Sequence, residues 1–513
     1  MRKTKSLIAA SAVVSATAAA LLFAGSTPSA ASPKVGQTGP STATAPYLVP
    51  GAGADGKVNF TSILTVGDAV DGYKMVGIPD GLGALKGPGN KFSLFMNHEL
   101  GTTVGIERAH GSKGAFVSQW EINRHTFKVE AGKDMVQSAN DVYLWDAVNR
   151  VYNAATTAFA RLCSGDLPAL SAFWHNGVGT QDRIYMAGEE TDRGRAFAWV
   201  ATGANAGEAW ELPRLGKFAW ENAVASPHGQ AKTIVIPMDD ADLSTSATTA
   251  FPSELAVYVG TKQNTGHPIE RAGLTNGKLY GVNVSVNGST VTEESNAFGL
   301  GSAAYVGSGR FTLVEMGDNG DVSSDTADDL RTEFIAKDIL RMQRIEDGAF
   351  DPRKGKQNDF YFVTTASMTL NSRLWRLRFD DVESPTAGGT IEILVNGGDV
   401  RMLDNIGMDQ LGRIIMQEDP GNVAHVAKVW LYGADNGRLV QIAQFDPELF
   451  TPGSPAFLTQ DEESSGVIDA EDLLGKGWFL LDAQIHRTPL TTELVERGQL
   501  LAMYVDPSLG LSR

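Results

Sequence analysis

The sequence predicts an all-β fold, a six-bladed β-propeller with short helical insertions. One observation is a recurring phrase: an acidic residue, a short apolar strand that ends in polar or acidic residues, a loop rich in Gly, Pro or Asn, and a returning strand. A second observation is that about six copies of this phrase follow one another, which indicates an array of similar units. Repeated β units close most naturally as a propeller, whose innermost strands line a central channel. We therefore expect the acids of the phrase to converge near one end of the axis.

The clearest copy of the phrase begins at Asp404. Its first strand covers 413–416 and ends in Gln417, Glu418 and Asp419, and the strand 429–432 returns after a Pro-Gly loop. Two apolar runs around such a loop are typical of a β-hairpin. Other copies open at Asp80, Glu221, Glu346 and at Glu462 or Glu463, and a further copy runs through Arg183 to the pair Glu189 and Glu190.

The first 57 residues differ from the rest of the chain. Residues 1–31 have basic residues, then an apolar run and small residues at the end, and this order predicts a secretory signal peptide. Residues 32–57 are rich in Pro, Gly, Ser, Thr and Ala and are predicted to be a flexible leader. No later apolar run approaches the ~20 residues that a membrane span needs. We expect a secreted or extracytoplasmic protein in which 58–513 form a single propeller domain.

Two segments interrupt the β pattern, near 125–174 and near 315–343. In the first, residues 146–162 place apolar side chains at helical spacing and predict a helix that ends at Cys163. The second is acidic at first and then helix-like. Between the two segments, Asn276-Gly277 and Asn287-Gly288 each predict a tight hairpin turn.

Charge and cysteine usage exclude several classes of protein. The formal net charge is -17 at pH 7, opposite to the sign that a nucleic-acid partner requires. Cys163 is the single cysteine, so no intrachain disulfide forms, and stability must come from the core, from bound ions, or from both. The sequence holds no nucleophile elbow, P-loop or dinucleotide-binding fingerprint. We expect a monomer without a nucleic-acid partner.

The repeated acids predict a metal centre. Crowded carboxylates raise one another's pKa unless a cation neutralises them, and clusters of hard oxygen ligands suit Ca²⁺. For any single acid, the alternative is a solvated turn or a hydrogen-bond acceptor for a neighbouring blade. The candidate carboxylate ligands are Glu99, Glu189, Glu190, Glu221, Asp239, Asp240, Glu346, Asp404, Glu418, Glu462 and Glu463.

Three further residues have two interpretations each. Cys163 is either a small buried hydrophobe or, as a thiolate beside carboxylates, a ligand for a softer metal such as iron. His98, next to Glu99, either binds substrate or has a structural role. Arg344, two residues before Glu346, either binds an anion through its planar fork or pairs with neighbouring acids.

Several short segments together resemble the PhoX-type alkaline phosphatases. They are MNHE at Met96, GEE at Gly188, GKFAWE at Gly216, the lone Cys163, and RIEDGAFDP at Arg344. The resemblance extends from about Gly72 onward, and the family includes many secreted bacterial proteins. It implies a six-bladed propeller with iron and calcium at one axial end that hydrolyses phosphomonoesters. It also implies that Cys163, Glu190, Glu221 and Glu346 bind iron, that Asp239, Asp240 and Glu418 complete metal sites, and that Arg344 holds phosphate.

The sequence thus favours a secreted, metal-dependent phosphoric ester hydrolase acting on a small-molecule phosphate ester. Calcium is the expected cofactor, with iron as an additional candidate, and Arg344 is the expected catalytic residue. Two other functions stay open on the sequence: a non-catalytic, calcium-stabilised propeller that binds a partner, and a propeller hydrolase of another class, such as a lactonase.

Overall fold

The fold is built almost entirely from β-strands. A computed structural model describes residues 36–241, 252–299 and 307–511, so the predicted signal peptide lies outside the described residues. The strands, in chain order, are β1 (Gln37–Thr38), β2 (Leu48–Pro50), β3 (Val58–Thr65), β4 (Ala69–Val70), β5 (Tyr73–Lys74), β6 (Pro79–Lys86), β7 (Lys91–His98), β8 (Phe116–Asn123), β9 (Val129–Asp134), β10 (Val142–Asp146), β11 (Val151–Ala154), β12 (Leu162–Asp166), β13 (Trp174–His175), β14 (Val178–Gly179), β15 (Ile184–Val200), β16 (Ala209–Glu211), β17 (Lys217–Ala225), β18 (Lys232–Asp239), β19 (Ser253–Glu254), β20 (Ala256–Thr261), β21 (Lys278–Val286), β22 (Ser289–Val291), β23 (Ser308–Glu315), β24 (Arg341–Met342), β25 (Ile345–Phe350), β26 (Asp359–Thr364), β27 (Arg373–Phe379), β28 (Gly389–Asn396), β29 (Leu403–Met408), β30 (Arg413–Glu418), β31 (Lys428–Gly433), β32 (Leu439–Phe445), β33 (Glu462–Asp469), β34 (Trp478–Ile485) and β35 (Arg497–Val505).

Helices are short and lie in the connections. The α-helices are α1 (Pro268–Arg271), α2 (Glu294–Ala297), α3 (Ala327–Ala336), α4 (Pro447–Phe450) and α5 (Glu471–Leu474). Single turns of 3₁₀-helix occur at Ala139–Asp141, Leu170–Ala172, Pro213–Leu215 and Pro385–Ala387. Within the described residues, no helix combines the length and the apolar character that crossing a membrane requires.

Six strands contact one another in a cyclic order: β6, β12, β17, β25, β29, β33 and β6 again. We call them the central strands. Outward from them run antiparallel neighbours, for example β7 to β9 beside β6 and β30 to β32 beside β29. The hydrogen-bonded sheets do not themselves close into a ring, so the cyclic order is made by contacts between sheets. The sheet with β33 at its edge also contains β3, whose Val58 lies opposite Val505 of β35.

The repeated phrase predicts these strands well. The strands expected at 413–416 and 429–432 are confirmed as β30 and β31, which pair antiparallel with Ile415 opposite Leu431. Asn287-Gly288 is confirmed as the turn between β21 and β22, and both residues have the positive φ that such a turn needs. The hairpin turn predicted at Asn276-Gly277 is wrong, because the connection from β20 to β21 is longer and contains α1, which His267 caps. Large side chains between the sheets form the core; Trp120, Trp199, Trp220 and Trp375 are among the largest that are fully buried.

The prediction of a flexible leader is wrong for residues 36–57. Strand β1 runs parallel to β3, and β2 pairs with β32. Tyr47 is buried, its backbone N–H donates to Gln499 Oε1 at 2.9 Å, and its ring packs edge-on against Phe450. The composition of this segment suggested flexibility, but the short run from Tyr47 to Val49 is apolar enough to add a strand at a sheet edge.

The helix predicted over 146–162 is also wrong. The chain forms the β10–β11 hairpin there, and Cys163 lies inside β12. The Asp146 carboxylate accepts hydrogen bonds from the backbone of Val148 and Asn149, which starts a turn instead of a helix. Tyr152 then packs edge-on against Trp145, and aromatic side chains of this kind favour strands.

The helix-like part of the second insertion is confirmed as α3. Thr326 caps it, because the Thr326 hydroxyl accepts from Asp329 N while the Asp329 carboxylate accepts from Thr326 N. This reciprocal pair of bonds satisfies two donors at the start of the helix.

Candidate metal centre

A local irregularity in the central strands positions the donor side chains. In five of the six central strands, the pairing register with the neighbouring strand shifts at the residue that carries the donor: Asp80, Cys163, Glu221, Glu346 and Asp404. In β33 the shift follows Glu463 by a few residues. An extra residue in one strand re-aims a side chain that regular alternation would direct elsewhere. The same device therefore recurs around the ring, once in each central strand.

Nine donor groups come together at this level, and we call them the acid cluster. Six lie in the central strands, Glu99 and Asp419 directly follow β7 and β30, and Glu190 lies in β15. Four overlapping sets each have one ligand atom per residue within 4.8 Å of the others: Asp80, Glu99 and Cys163; Cys163, Glu190 and Glu221; Glu221, Glu346 and Asp404; Asp404, Asp419 and Glu463. The predicted convergence of Glu221, Glu346 and Asp404 is thus confirmed.

The cluster has a buried floor and an open side. Asp80, Cys163, Glu221, Glu346, Asp404 and Glu463 are buried, whereas Glu99, Glu190 and Asp419 are partly exposed. The three partly exposed acids mark the side from which a solute reaches the cluster. We call this side the rim.

Burial and mutual repulsion dominate the electrostatics of the cluster. Burial, followed by the charges of neighbouring acids, raises the pKa of Asp80, Glu221 and Asp404 well above the usual range. The same two causes raise the pKa of Asp419 to about 7. Each of these groups ionises more readily once a cation offsets the charge of its neighbours.

Cys163 shares the environment of the acids. Its Sγ lies 3.3 Å from Asp80 Oδ2 and is buried. Burial, and then the charges of Asp80 and Glu221, raise the pKa of the thiol well above its usual range. Without a cation the group is therefore a neutral thiol, and a bound metal would favour the thiolate.

Two arginines and one histidine contact the acids. Arg344 donates from Nε and Nη2 to the two carboxylate oxygens of Asp240, both at 2.7 Å, and its Nη2 lies 3.4 Å from Glu346 Oε1. Arg161 Nη2 lies 2.6 Å from Glu99 and 2.5 Å from Glu190. Burial alone would lower the pKa of His486, but the hydrogen bonds to Glu463 and Glu496 raise it well above the usual range.

A polar layer beneath the cluster fixes its floor. Asn405 Oδ1 accepts hydrogen bonds from Ser164 Oγ at 2.7 Å and from Gly466 N at 2.8 Å. Gln484 donates to Asp80 Oδ2 at 2.8 Å. Beyond this layer, the central strands line a cavity of about 700 Å³ with residues such as Leu82, Val224 and Met408. The hydrogen bonds hold donors in adjacent sheets at fixed separations, as a preformed site requires.

The structure places other candidate acids outside the cluster. Glu189 is bound by Arg195 through two hydrogen bonds of 2.7 Å, and Glu418 accepts from His425, Trp430 and the Arg401 backbone. Asp239 accepts from the backbone of Ala219 and Glu254, and Glu462 accepts from Ala427 N. Asp240 meets the cluster only through Arg344. Alternation along each strand explains these places, because neighbouring acids point to opposite faces.

His98 is a further candidate that the structure does not bring into the cluster. Its ring stacks on Phe116 with centroids 4.2 Å apart, and its Nε2 forms a hydrogen bond with Ser118 Oγ. Burial, followed by the charge of Arg108, lowers the pKa of His98 to about 3. The ring is therefore a neutral part of the core of its sheet.

Three residues of the site are absent from the predicted set: Asp80, Asp419 and Arg161. Asp80 and Asp419 occupy the opening and strand-end positions of the phrase, so the repeat itself carried the signal for them. Arg161 precedes Cys163 by two residues, and Arg344 precedes Glu346 by two. This shared spacing could have identified Arg161 as a site residue from the sequence.

The residues of the cluster fit a divalent cation. The donor set is eight carboxylates and one thiol. Carboxylate oxygens are the ligands that Ca²⁺ prefers, and a thiolate suits a softer metal. Within the described residues, neither carboxylate oxygen of the fully buried Glu346 has a hydrogen-bond partner. The charge of Arg344, 3.4 Å away, offsets that of Glu346 only in part, so both carboxylate oxygens are suited to bind a metal ion.

Comparison with known proteins shows similarity in fold. No protein-family model matches the chain, and no curated protein matches it. The solved structure of Pseudomonas fluorescens PhoX in complex with vanadate, a transition state analogue, matches with a TM-score of 0.60 and 13% identity, over 92% of this chain and 98% of that chain. The PQQ-bound aldose sugar dehydrogenase from Streptomyces coelicolor matches with a TM-score of 0.35 and 12% identity, over 89% of this chain and 100% of that chain.

Proposed function

We propose that this chain is a secreted, metal-dependent phosphoric ester hydrolase of the alkaline phosphatase type, with calcium and iron held by the acid cluster of a six-bladed propeller. The observation that carries the proposal is the combination of the cluster with two arginines at its rim. Metal ions attract phosphoryl oxygens, and arginine is well suited to bind the same group through two N–H donors. The cyclic contacts of the six central strands and the similarity in fold to PhoX, solved with vanadate, support the proposal.

The chain's own residues divide the work at such a site. The carboxylates of the cluster would hold calcium, and Cys163 with Glu190 and Glu221 would hold iron. The bound ions would supply positive charge to the transferring phosphoryl group and to the oxygens that attack and leave. Glu189, Asp239, Glu418 and Glu462 support the strands that carry the ligands, through the hydrogen bonds described above.

We assign to Arg344 the binding of the transferring phosphoryl group. Asp240 holds its Nε and Nη2 and so fixes the plane of the guanidinium beside Glu346. A cation held rigidly in this way stabilises charge as it develops in the transition state and needs little reorganisation. Asp240 is therefore a positioning residue for Arg344 in this proposal, in place of a metal ligand.

The test has two measurements on the same preparation. Metal content is determined by mass spectrometry on protein purified without added metals, and hydrolysis is measured with p-nitrophenyl phosphate. We expect calcium and iron, together with hydrolysis. We expect Arg344→Ala to keep its metals and to lose about 10²-fold or more in kcat/KM, the scale seen when one preorganised donor is removed.

The matched control is Arg193→Ala. Arg193 also has positive φ and pairs with an acid, Asp328 at 2.6 Å, but its side chain is exposed and its acid partners, Asp192 and Asp328, do not belong to the cluster. It should keep full activity. Fully metal-loaded protein that hydrolyses no phosphate ester would refute the proposed function, and protein that binds no metal would refute the metal centre.

A further inference from the structure

Arg161 directly precedes β12, just as Arg344 directly precedes β25. Each lies two residues before a donor of the acid cluster, Cys163 in one case and Glu346 in the other. Each has a left-handed backbone conformation, with φ of 36° and 32°. Met402, two residues before Asp404, has φ of 44° and shows that the conformation belongs to the start of the central strand. The repeated unit thus presents arginine at one position in two of its copies.

Two backbone hydrogen bonds hold Arg161 in its left-handed conformation. Its N–H donates to Leu100 O at 2.9 Å, and its carbonyl accepts from Glu190 N at 2.8 Å. A residue other than glycine in this region carries strain of about 1–3 kcal/mol. These two hydrogen bonds keep Arg161 in the strained conformation, and this conformation directs its side chain to the rim.

The guanidinium of Arg161 is only partly used by its protein partners. Nη2 alone contacts Glu99 and Glu190, and in the described parts of the chain Nε and Nη1 form no hydrogen bond. The side chain is 48% exposed, whereas its two acid partners are about 10% exposed. The N–H groups of Nε and Nη1 therefore face solvent at the rim.

Contacts through the acid cluster link the two arginines. Arg161 Nη2 contacts Glu190, and ligand atoms of Glu190 and Glu221, and of Glu221 and Glu346, lie within 4.8 Å of each other. Arg344 Nη2 lies 3.4 Å from Glu346, so both arginines border the same group of carboxylates. Arg344 keeps Nη1 available, because Asp240 takes its Nε and Nη2.

We infer that Arg161 is a second substrate-binding residue, which with Arg344 selects a phosphate group carrying two negative charges. The inference depends on the proposed function and assigns to Arg161 the preference of that site for a doubly charged phosphate group. A monoester dianion offers oxygens to the metal centre and to both arginines. A diester has one negative charge and an ester group in place of one of those oxygens, so it loses the contact with one arginine.

The experiment compares wild type, Arg161→Ala, Arg161→Lys and the control Arg193→Ala, all purified with their metals. Each is assayed with p-nitrophenyl phosphate and with bis(p-nitrophenyl) phosphate, and the inhibition constant of inorganic phosphate is measured. A hydrogen bond to a charged group contributes about 1.5–3 kcal/mol, so Arg161→Ala should raise KM for the monoester and the inhibition constant of phosphate about 10-fold or more. The diester should change about 3-fold or less, and Arg161→Lys should fall between wild type and Arg161→Ala.

The outcomes separate the possible roles of Arg161. Unchanged KM and phosphate inhibition in a folded, metal-loaded Arg161→Ala protein would overturn the inference. Equal losses for monoester and diester that follow a loss of metal would also overturn it, because Arg161 would then act only by neutralising Glu99 and Glu190. If Arg161→Ala does not fold, the Arg161→Lys protein decides between these results. A metal-loaded wild type that neither hydrolyses the monoester nor binds phosphate would refute the proposed function itself.

Discussion

The metal-free protein should become less stable as pH rises from 5 to 8. Asp419 shows the magnitude: burial and neighbouring acids raise its pKa from 3.8 to about 7. Between these two values the folded state binds a proton that the unfolded state has lost, so stability falls as pH rises. At 1.36 kcal/mol per pKa unit, the two units between pH 5 and pH 7 correspond to about 3 kcal/mol of stability lost by pH 8. Asp419 is partly exposed, so solvent screening makes this figure an upper one.

Calcium should reverse this pH dependence. A cation binds the ionised carboxylates, and its binding strengthens as they lose protons. Thermal unfolding at pH 5, 6, 7 and 8 measures how Tm changes with pH, once in chelator and once in millimolar calcium. For a chain of this length we expect roughly 1–2 °C for each kcal/mol, by extension of the scaling for smaller proteins. The Tm in chelator should therefore fall by about 5 °C over this range, and the Tm in calcium should stay level or rise.

A matched pair of variants tests whether the acid cluster causes the pH dependence of Tm. Burial also raises the pKa of Asp166 to about 7, but Asp166 lines the cavity below the polar layer. Asp166→Asn should reduce the slope equally in chelator and in calcium. Asp419→Asn should reduce the slope in chelator and weaken the response to calcium. A Tm in chelator that is flat or rises between pH 5 and 8 would contradict the reasoning.

Three further predictions concern single residues near the cluster. Cys163→Ser should fold and keep its response to calcium but lose iron, as measured by metal analysis; iron retained at the wild-type level would exclude Cys163 as a ligand. Asp482 is fully buried, neither of its carboxylate oxygens has a hydrogen-bond partner within the described residues, and burial raises its pKa well above the usual range. Asp482→Asn should therefore change the free energy of unfolding in urea by less than about 1 kcal/mol, as expected when a protonated acid is replaced by a neutral group; a larger loss together with a lost metal ion would show a charged, metal-bound carboxylate. Gly81→Ala would place its Cβ 2.3 Å from Gly165 N and should destabilise the protein by about 2 kcal/mol or more in the same assay; a stability equal to wild type would show that the two central strands separate easily.

The sequence revealed the convergence of acids but not the geometry that produces it. Acids such as Glu221 and Asp404 recur at one position of a repeated unit, and repeated units place equivalent residues at equivalent points around an axis. In the prediction, however, they open a turn before the first strand of the phrase, whereas in the structure they lie inside the central strands. The register shifts at these residues depend on pairing with the neighbouring strand, which local sequence does not specify.

The choice within each acidic pair was not predictable either. Glu190 joins the cluster and Glu189 does not, and Asp419 joins it while Glu418 does not. Side chains alternate along a strand, so one member of each pair faces the acid cluster, but the register decides which one. The helix prediction over 146–162 failed for a related reason. The apolar spacing suits a helix, but Tyr143 and Tyr152 of the hairpin also pack against Trp210, which is distant in the chain.

The pairing of β3 with β35 has a consequence for biosynthesis. Ser62 of β3 pairs with Leu501 of β35, a residue 439 positions further along the chain. During translation, the edge of β3 that receives β35 stays unpaired until almost the whole chain described here has left the ribosome. Unpaired strand edges invite association between chains. Release of nascent chains truncated before β35 should therefore yield aggregation-prone products, and export before folding would keep this edge from persisting in the cytoplasm.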